Sequence, residues 1–408
     1  MVQRVVRQVS ESGLTENITI ATNAAQQDIV VNQLGNKVAV VTEPERRDTF
    51  PAIALAASYL SLGKGCTDDE VVVIMPCDPY TEAGYFDAVG RMVKAIEEDR
   101  AELVLMGITP TYPSEKFGYI VPSGEGDAGC RMVSRFTEKP SVEVAAGLIA
   151  QGALWNGGVF AFRLGYIMEI VRRYLNASSF EEVRGNYSAF PKISFDYEVA
   201  EKAKSVAVVP FSGYWKDLGT WNALTGELHQ QVYGNAILGH HTDNVHVINE
   251  LQYPVFVDGV KDVVVAACPD GILVCGKEQS EQIKSQVENL NRRPMYEERR
   301  WGVYRVLDDT FYADGSHSLT KSITLRPGKN ISYQIHHHRA EVWTFVEGEG
   351  LFVLDGERRE VSAGESVIIP VGHFHAIRAI TELTFIEVQT GNPLVEEDIE
   401  RFDYDWNL

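Results

Sequence analysis

Residues near the carboxyl end of the chain have the types and spacing of a metal site. Successive side chains on an extended strand point to opposite faces, so Gln334, His336 and His338 would share one face. Glu341 would follow on the next strand, and His375 adds a later donor from a strand flanked by turn residues. Imidazole, carboxylate and amide oxygen donors suit a first-row divalent ion and leave a position for substrate. A His-rich surface turn is the alternative.

Two long motifs surround these residues and carry a resemblance. Gln334 stands where the usual first His of the first cupin motif would be, and the segment 385–391 adds a further match. Together they resemble type II mannose-6-phosphate isomerase, which implies a cupin barrel of the RmlC-like jelly-roll type. The implied metal ligands are Gln334, His336, Glu341 and His375, for Zn, Mn, Co or Fe. The motifs read Gly328-x5-Gln334-x-His336-x4-Glu341-x6-Gly348 and Gly364-x5-Pro370-x-Gly372-x2-His375.

An isomerase site of this kind also needs a base and positive charge. Interconverting an aldose and a ketose phosphate removes a proton beside a carbonyl, which a divalent ion eases by polarising the sugar oxygens. The base should share the inner face without binding the metal, so we predict His338, with His373 as second choice. Arg339 and Lys321 are predicted to neutralise phosphate or developing negative charge. For His338 and Arg339, a structural hydrogen bond is the alternative.

Length and composition restrict the class of protein. A chain of 408 residues is too long for one ordinary core and predicts two or three domains. Its net charge of −20 argues against nucleic acid or an acidic membrane as a partner. The five widely spaced cysteines and the absence of an apolar leader segment favour free thiols in the cytoplasm.

The first 233 residues alternate between helix and strand patterns, which predicts a doubly wound α/β sheet. The continuous apolar run at residues 71–75 is typical of a central parallel strand. Ligands bind beyond the carboxyl ends of such strands, and Asp78 follows this run. We therefore predict a ligand-binding role for Asp78, with a purely structural carboxylate as the alternative.

Six short segments of this part occur in the order found in one family. Two of them are the stretch at residues 43–49 and the one that contains Asp78. Together the six segments resemble mannose-1-phosphate guanylyltransferase, which implies a nucleotidyltransferase-like, Rossmann-like sheet. Taken singly, each residue could be a turn Gly, a capping Asp or a surface Lys. The other four segments are Phe117-Gly118-Tyr119-Ile120, Phe136-Thr137-Glu138-Lys139-Pro140, Trp155-Asn156-Gly157-Gly158 and Trp215-Lys216-Asp217-Leu218-Gly219.

The resemblance implies a role for each matched residue. Asp78 and Asp217 would hold Mg²⁺ on the phosphates of GTP, since hard cations prefer carboxylate oxygens. Lys139 would contact the sugar phosphate. The sugar hydroxyls would bind Glu138 and Asn156, and Gly118 and Gly157 would let the backbone approach the ligand.

One part of the family pattern has no counterpart here. The family opens with a strand and a Gly-rich loop whose backbone amides bind the nucleotide phosphates, and Met1 aligns beyond that loop. We therefore expect a poor guanylyltransferase from the chain as written. A start codon assigned too late, a degenerate gene and a chain that has given up transfer all stay open.

Three parts follow from these patterns: a transferase-like domain at 1–233, a short β-helix-like linker at 234–293 that ends in a helix at 280–291, and a cupin domain at 294–408. We expect the acidic segment 395–405 to form a short helix without chemistry. The leading hypothesis is a bifunctional enzyme of GDP-mannose biosynthesis that acts on sugar phosphates and GTP. A non-catalytic sugar-phosphate or sugar-nucleotide binding protein is the alternative, and a homodimer is one open arrangement.

Overall fold

The computed structural model describes residues 1–127, 129–287, 289–290 and 292–406. The backbone divides into two compact units, an amino-terminal unit Met1–Gly219 and a carboxyl-terminal unit Thr220–Leu408. The finer division at residues 233 and 293 stays a prediction. Within the described residues, every helix is too short or too polar to cross a lipid bilayer.

The amino-terminal unit alternates helices and strands. Shorter helical turns lie at Gly35–Lys37, Tyr59–Gly63, Tyr187–Ala189 and Asp196–Ala200. The helices are α1 Val2–Ser12, α2 Ala24–Leu34, α3 Thr49–Ser58, α4 Gly84–Glu97, α5 Val142–Ala150, α6 Leu164–Tyr174 and α7 Phe180–Gly185. The strands are β1 Thr19–Asn23, β2 Ala39–Glu43, β3 Val71–Ile74, β4 Pro79–Thr81, β5 Leu103–Ile108, β6 Tyr119–Asp127, β7 Cys130–Thr137, β8 Leu154–Arg163, β9 Val206–Phe211 and β10 Trp215–Asp217.

A six-stranded sheet with the order β3-β8-β5-β9-β7-β6 forms the centre of this unit. All six residues of β5 are buried. Val104 and Met106 pack with α1, α4 and α5, whereas Leu103 and Leu105 pack with α3, α6 and α7. Helices therefore cover both faces of the sheet, as the predicted doubly wound architecture requires.

The predicted position of the run at 71–75 in this sheet is wrong. β3 lies at one end of the sheet and pairs antiparallel with β8, and the parallel pair of the sheet is β5 with β9. The side chains of β3 are half-buried and pack alternately against the cores on the two faces of the sheet. An end strand that contacts both cores can therefore carry the apolar run expected of a central one. β1 and β2 form a separate parallel pair, and β4 pairs with β10.

The carboxyl-terminal unit begins with short stacked strands. β13 pairs in parallel with both β11 and β15, and β12 pairs in parallel with β14, around a small valine-rich core. This stacking is the predicted β-helix-like linker. Its helix α8 is Trp221–Thr225 and its strands are β11 Val232–Gly234, β12 Ala236–Leu238, β13 His246–Asn249, β14 Val255–Val257, β15 Val263–Cys268 and β16 Gly271–Gly276.

The helix predicted for residues 280–291 is shorter in the structure. A 3₁₀ helix at Glu278–Gln282 leads into α9, Ile283–Val287. Residues 288 and 291 of that prediction lie outside the described residues.

Two antiparallel sheets then form the predicted jelly roll. Their orders are β17-β18-β19-β26-β21-β24 and β23-β22-β25-β20-β27, and side chains from both sheets share one core. A 3₁₀ helix at Glu396–Asp398 precedes the last strand. The strands are β17 Tyr296–Arg299, β18 Gly302–Phe311, β19 His317–Leu325, β20 Asn330–His336, β21 Arg339–Glu347, β22 Glu349–Leu354, β23 Glu357–Ser362, β24 Ser366–Ile369, β25 His375–Ala379, β26 Leu383–Gly391 and β27 Ile399–Phe402.

Candidate functional site

Four side chains converge between the two sheets of the jelly roll. Gln334 and His336 lie on β20, His375 on the adjacent β25, and Glu341 on β21 of the other sheet. His336 Nε2 lies 3.2 Å from Glu341 Oε1, and His375 Nε2 lies 3.5 Å from Glu341 Oε2. The Gln334 amide nitrogen lies 3.3 and 3.4 Å from the two Nε2 atoms. All four are buried, so the structure brings the predicted ligand set together.

Neighbouring groups orient these side chains for an ion. His336 Nδ1 lies 3.4 Å from the Asp398 carbonyl oxygen and His375 Nδ1 lies 3.1 Å from the His373 carbonyl oxygen. When each Nδ1–H donates to its carbonyl, the Nε2 lone pairs point to the shared centre, the usual arrangement of metal-binding histidines. Rotating the Gln334 amide by 180° would present its oxygen to the same point. The donor set therefore fits a divalent ion.

The electrostatics of Glu341 agree with this fit. Burial alone would raise the pKa of Glu341, but hydrogen bonds and positive charge from His336 and His375 hold that pKa below its usual range. Trp343 Nε1 also donates to Glu341 Oε2 at 3.0 Å. The carboxylate is thus kept ionised and oriented, as a metal ligand requires.

A buried polar network extends from Glu341 along β26. Gln389 Nε2 donates to Glu341 Oε1 at 3.3 Å and to Glu387 Oε2 at 2.9 Å. Burial, followed by the nearby charge of Glu341, raises the pKa of Glu387 to about 7. Lys321 is buried opposite Glu387 across β19 and β26, and its Nζ lies 4.9 Å from the centroid of the Tyr304 ring.

Arg339 was predicted to neutralise phosphate or developing negative charge, with a structural hydrogen bond as the alternative, and the structure places it inside the protein. Its side chain is 2% exposed, Nη1 donates to Gln389 Oε1 at 3.0 Å and Nη2 donates to the Val395 carbonyl at 3.1 Å. A guanidinium bound to protein groups in this way is closed to a ligand phosphate from solvent. Arg339 instead places a positive charge 4.0 Å from Glu341 Oε1.

The prediction that His338 shares the inner face with the ligands is wrong. β20 ends at His336, and residues 337 and 338 form the turn before β21, where both are exposed. They line a surface pocket of about 550 Å³ together with five residues between Val395 and Glu400. The strand alternation stops where the backbone turns, so the period of two does not reach His338.

His373 also lies outside the ligand cluster. It precedes β25, its side chain is 42% exposed, and its Nδ1 lies 2.6 Å from Asp355 Oδ2. Its contact with the metal site is through the backbone carbonyl that accepts the hydrogen bond from His375.

A second group of predicted residues comes together in the amino-terminal unit. The Asn156 N–H donates to the Gly118 carbonyl at 2.8 Å, and Lys139 Nζ lies 3.2 Å from Glu138 Oε1. A Cβ atom on Gly118 would lie 2.5 Å from Glu138 Oε2 and 2.9 Å from the Phe136 ring, so a side chain there would displace these groups. Asn156 Nδ2 donates to Asp196 Oδ1 at 2.6 Å. Burial, followed by the charge of Glu138, raises the pKa of Asp196.

Gly157 is also placed where a side chain would be crowded. An added Cβ would lie 3.1 Å from the Ile108 side chain and 3.3 Å from the Met106 carbonyl oxygen. Gly157 therefore lets β8 lie close to β5, which is a packing reason for glycine at this position.

Asp78 and Asp217 meet where β4 and β10 pair. Asp217 is opposite Pro79 in that register, next to Asp78. Partial desolvation and the charge of Asp217 raise the pKa of Asp78. A cation shared by the two carboxylates would relieve this repulsion.

Three aromatic rings pack between the segments that contain Gly118, Asn156 and Asp217. The Trp215 ring lies 5.5 Å from that of Phe117 and 6.4 Å from that of Trp155. Trp215 is two residues before Asp217, and the other two rings are adjacent in sequence to Gly118 and Asn156.

Sequence reasoning missed four polar residues at these sites: Asp196, Glu387, Gln389 and Asp398. A period of two could have found Glu387 and Gln389, because they share a strand face with Phe385 within an already matched segment. The segment 395–405 was predicted to be a short helix without chemistry. Asp398 does end a short 3₁₀ helix, but it is buried, and strand β27 follows it. Its partners are about sixty residues away in sequence, so no local pattern could identify it.

Comparison with known proteins identifies both parts of the chain. Residues 1–232 match the nucleotidyl transferase family, and residues 286–404 match the mannose-6-phosphate isomerase C-terminal family. Mannose-1-phosphate guanylyltransferase ManC of Salmonella typhimurium is 32% identical over 95% of this chain and 87% of the relative. The chain belongs to the mannose-1-phosphate guanylyltransferase family.

Other members and one solved structure agree with this placement. The xanthan biosynthesis protein XanB of Xanthomonas campestris is 33% identical over 93% of this chain and 85% of its own length. A crystal structure from Thermus thermophilus, titled mannose-1-phosphate geranyltransferase, has 30% identity and a TM-score of 0.57 over 70% of this chain and 88% of that one. As a guanylyltransferase family member with an isomerase domain, the chain is an enzyme of the nucleotidyltransferase and isomerase type.

Proposed function

We propose that this chain is a bifunctional enzyme of GDP-mannose biosynthesis. The carboxyl-terminal unit would interconvert fructose-6-phosphate and mannose-6-phosphate, and the amino-terminal unit would join mannose-1-phosphate and GTP into GDP-mannose and diphosphate. The convergence of Gln334, His336, Glu341 and His375 in a buried cluster carries the proposal for the isomerase. The names of the relatives and the two matched families support the pathway.

The metal centre would hold one divalent ion on these four side chains. When bound, such an ion supplies Lewis acid polarisation of the sugar oxygens. The protein fixes both imidazoles through their Nδ1 atoms, keeps Glu341 ionised, and excludes water from the ligand cluster. Lys321 and Arg339 would balance negative charge near the cluster from inside the barrel. The choice among Zn, Mn, Co and Fe is left to metal analysis.

For the transferase, we propose that the group around Gly118 binds the sugar phosphate. Glu138 and Asn156 would accept and donate hydrogen bonds to the sugar hydroxyls, and Lys139, whose side chain is 62% exposed, would contact the phosphate. Asp78 and Asp217 would hold Mg²⁺ on the nucleotide phosphates. Positioning and charge neutralisation are the main requirements of such a transfer.

The alternative of a non-catalytic sugar-phosphate binding protein is not favoured. A protein that only binds a sugar phosphate has no need for a buried set of donors fitted to an ion. The relatives are named for guanylyl transfer and polysaccharide biosynthesis, which also favours an enzyme.

The deciding experiment compares two adjacent histidines. Isomerase activity and bound metal would be measured for the purified full chain, for His336→Ala and for His337→Ala. His336→Ala should lose at least 100-fold in activity and its metal, because one of four donors is gone. His337→Ala should keep both within about twofold, since that ring is exposed and pairs with Glu400.

Full activity in His336→Ala, or after exhaustive chelation, would contradict the metal-dependent isomerase. A separate assay of GDP-mannose formation from GTP, mannose-1-phosphate and Mg²⁺ tests the transferase. We expect Asp217→Asn to reduce the rate of that reaction relative to the parent chain.

A further inference from the structure

The last strand of the chain forms one wall of the metal centre. β27 adds to the edge of β20, with Ile399 opposite His336 and Arg401 opposite Gln334. The 3₁₀ helix Glu396–Asp398 precedes it. We call residues 395–402 the C-terminal strap. Two metal ligands therefore lie on a strand whose outer edge is supplied by a segment outside both cupin motifs.

Asp398 makes the contacts that join the strap to the ligand strand. Its side chain is buried, and its two carboxylate oxygens accept hydrogen bonds from the backbone N–H groups of His337 at 3.1 Å and His338 at 3.3 Å. Oδ2 also lies 3.5 Å from Arg339 Nε. The Asp398 carbonyl oxygen lies 3.4 Å from His336 Nδ1. One residue thus contacts four consecutive residues of the β20–β21 connection.

The contacts of Asp398 affect two of the proposed ligands, His336 directly and Glu341 through the turn that precedes it. The carbonyl of Asp398 selects the His336 tautomer with a free Nε2, and its carboxylate fixes the turn that connects His336 to Glu341. Arg339 Nε is buried without a hydrogen-bond partner among the described residues, so Asp398 is the anion that compensates it from the strap side. Loss of this carboxylate would leave two turn N–H groups without their acceptor and would remove the nearer of the two carboxylates beside Arg339 Nε, since Glu341 Oε1 lies 4.0 Å away.

We propose that Asp398 is a positioning residue of the metal centre, which makes docking of the C-terminal strap a condition for tight metal binding. The proposal rests on the metal site proposed above. Asp398 does not reach the ion itself. It acts through His336 and through the turn that leads to Glu341.

The test measures metal binding, which does not depend on turnover. Co²⁺ affinity would be measured by equilibrium dialysis and the visible Co²⁺ spectrum recorded for the full chain, for Asp398→Ala and for Asp398→Asn. Asp398→Ala should weaken Co²⁺ binding about 10- to 100-fold, the usual effect of removing a group that orients a ligand, and should change the spectrum. Asp398→Asn keeps one acceptor oxygen, so its Co²⁺ affinity should lie between those of the parent chain and of Asp398→Ala.

The matched control is Glu397→Ala, an exposed carboxylate one residue earlier in the strap. It should bind Co²⁺ within twofold of the parent and give the parent spectrum. Far-UV circular dichroism of metal-free samples checks folding, and Asp398→Asn decides the question if Asp398→Ala does not fold.

The Co²⁺ measurements distinguish a failure of the proposed metal site from a failure of the proposed role of Asp398. A parent chain that binds no Co²⁺ would overturn the proposed metal site. A parent chain that binds Co²⁺, with folded Asp398 variants of the same affinity and spectrum, would overturn the role of Asp398 alone.

Discussion

His336 and His337 are neighbours in sequence, yet only His336 points between the sheets. The difference comes from where β20 ends, since His336 is its last residue and the turn begins with His337. Polar residues that continue the strand alternation can bind an ion, whereas those in the turn face solvent. At the scale of single residues, function here depends on backbone direction more than on residue type.

The stability of the carboxyl-terminal unit should depend on pH through Glu387. Its pKa is about 7 in the folded chain and about 4.5 when unfolded, so between these values the folded state retains a proton that the unfolded state releases. The free energy of unfolding should therefore fall as pH rises from about 4.5 to about 7, by about 3 kcal/mol for this group. Urea unfolding of metal-free protein across this range measures it.

Glu387→Gln supplies the comparison for that measurement. The amide keeps the shape of the side chain and carries no titrating proton. The free energy of unfolding of the variant should therefore lack the pH dependence that comes from Glu387. The difference in this free energy between the variant and the parent should change across pH 4.5 to 7. Parallel stability curves for the two proteins would show that Glu387 does not titrate in this way.

Gly118 gives a second prediction at this scale. Gly118→Ala would bring a Cβ within 2.5 Å of Glu138 Oε2 and 2.9 Å of the Phe136 ring. We expect a loss of about 1–3 kcal/mol in the free energy of unfolding and weaker mannose-1-phosphate binding in calorimetry. Gly124→Ala, which has open space at its Cβ, should change stability by less than about 0.5 kcal/mol. Equal effects of the two substitutions would contradict the crowding argument.

At the scale of elements, helices cover both faces of the central sheet and fix the segments that carry the residues proposed to bind the sugar phosphate. Helix α5 follows the Glu138–Lys139 pair directly, and Ser141 caps its amino end through the Val144 N–H. The segment from Gly118 to Asn156 is thus held by β6, β7, α5 and β8 in succession. The ligand residues lie at the ends of these elements, and the packing of the elements sets their spacing.

Two glycines near the end of α5 separate helix propensity from backbone strain. Gly147 is exposed within the helix and Gly152 follows it with φ of +80°, and neither would meet an atom within 4 Å as alanine. Gly147→Ala should raise the free energy of unfolding by about 0.5–1 kcal/mol. Gly152→Ala should lower it by about 1 kcal/mol, because alanine disfavours positive φ. Urea titrations of both variants check the opposite signs.

At the scale of the whole molecule, the chain has two compact units with different kinds of site. The amino-terminal unit places its carboxylates and glycines at the ends of strands and turns near the surface. The carboxyl-terminal unit buries its four ligands between two sheets. An ion bound to the four jelly-roll ligands would therefore stabilise the carboxyl-terminal unit and not the amino-terminal unit.

Hydrogen exchange of the full chain, with and without metal, tests this separation. An ion present at 100 times its dissociation constant stabilises the state that binds it by about 2.7 kcal/mol. We expect chelation to speed exchange in peptides of the jelly-roll strands and to leave β5 and α4 unchanged. Equal acceleration in both units would mean that the ion does not act through the jelly-roll site alone.

Sequence by itself determined the two fold classes and the family and predicted the ligand set that the jelly roll brings together, because strand alternation, motif spacing and apolar periodicity are local properties. It also placed Gly118, Glu138, Lys139 and Asn156 in one group through their order. Tertiary structure alone decided that β3 lies at the end of its sheet, that Arg339 is buried and that His338 is exposed. It also decided that Asp398 lies against the connection between β20 and β21, since that contact joins residues 61 positions apart, and such pairing depends on how the sheets close.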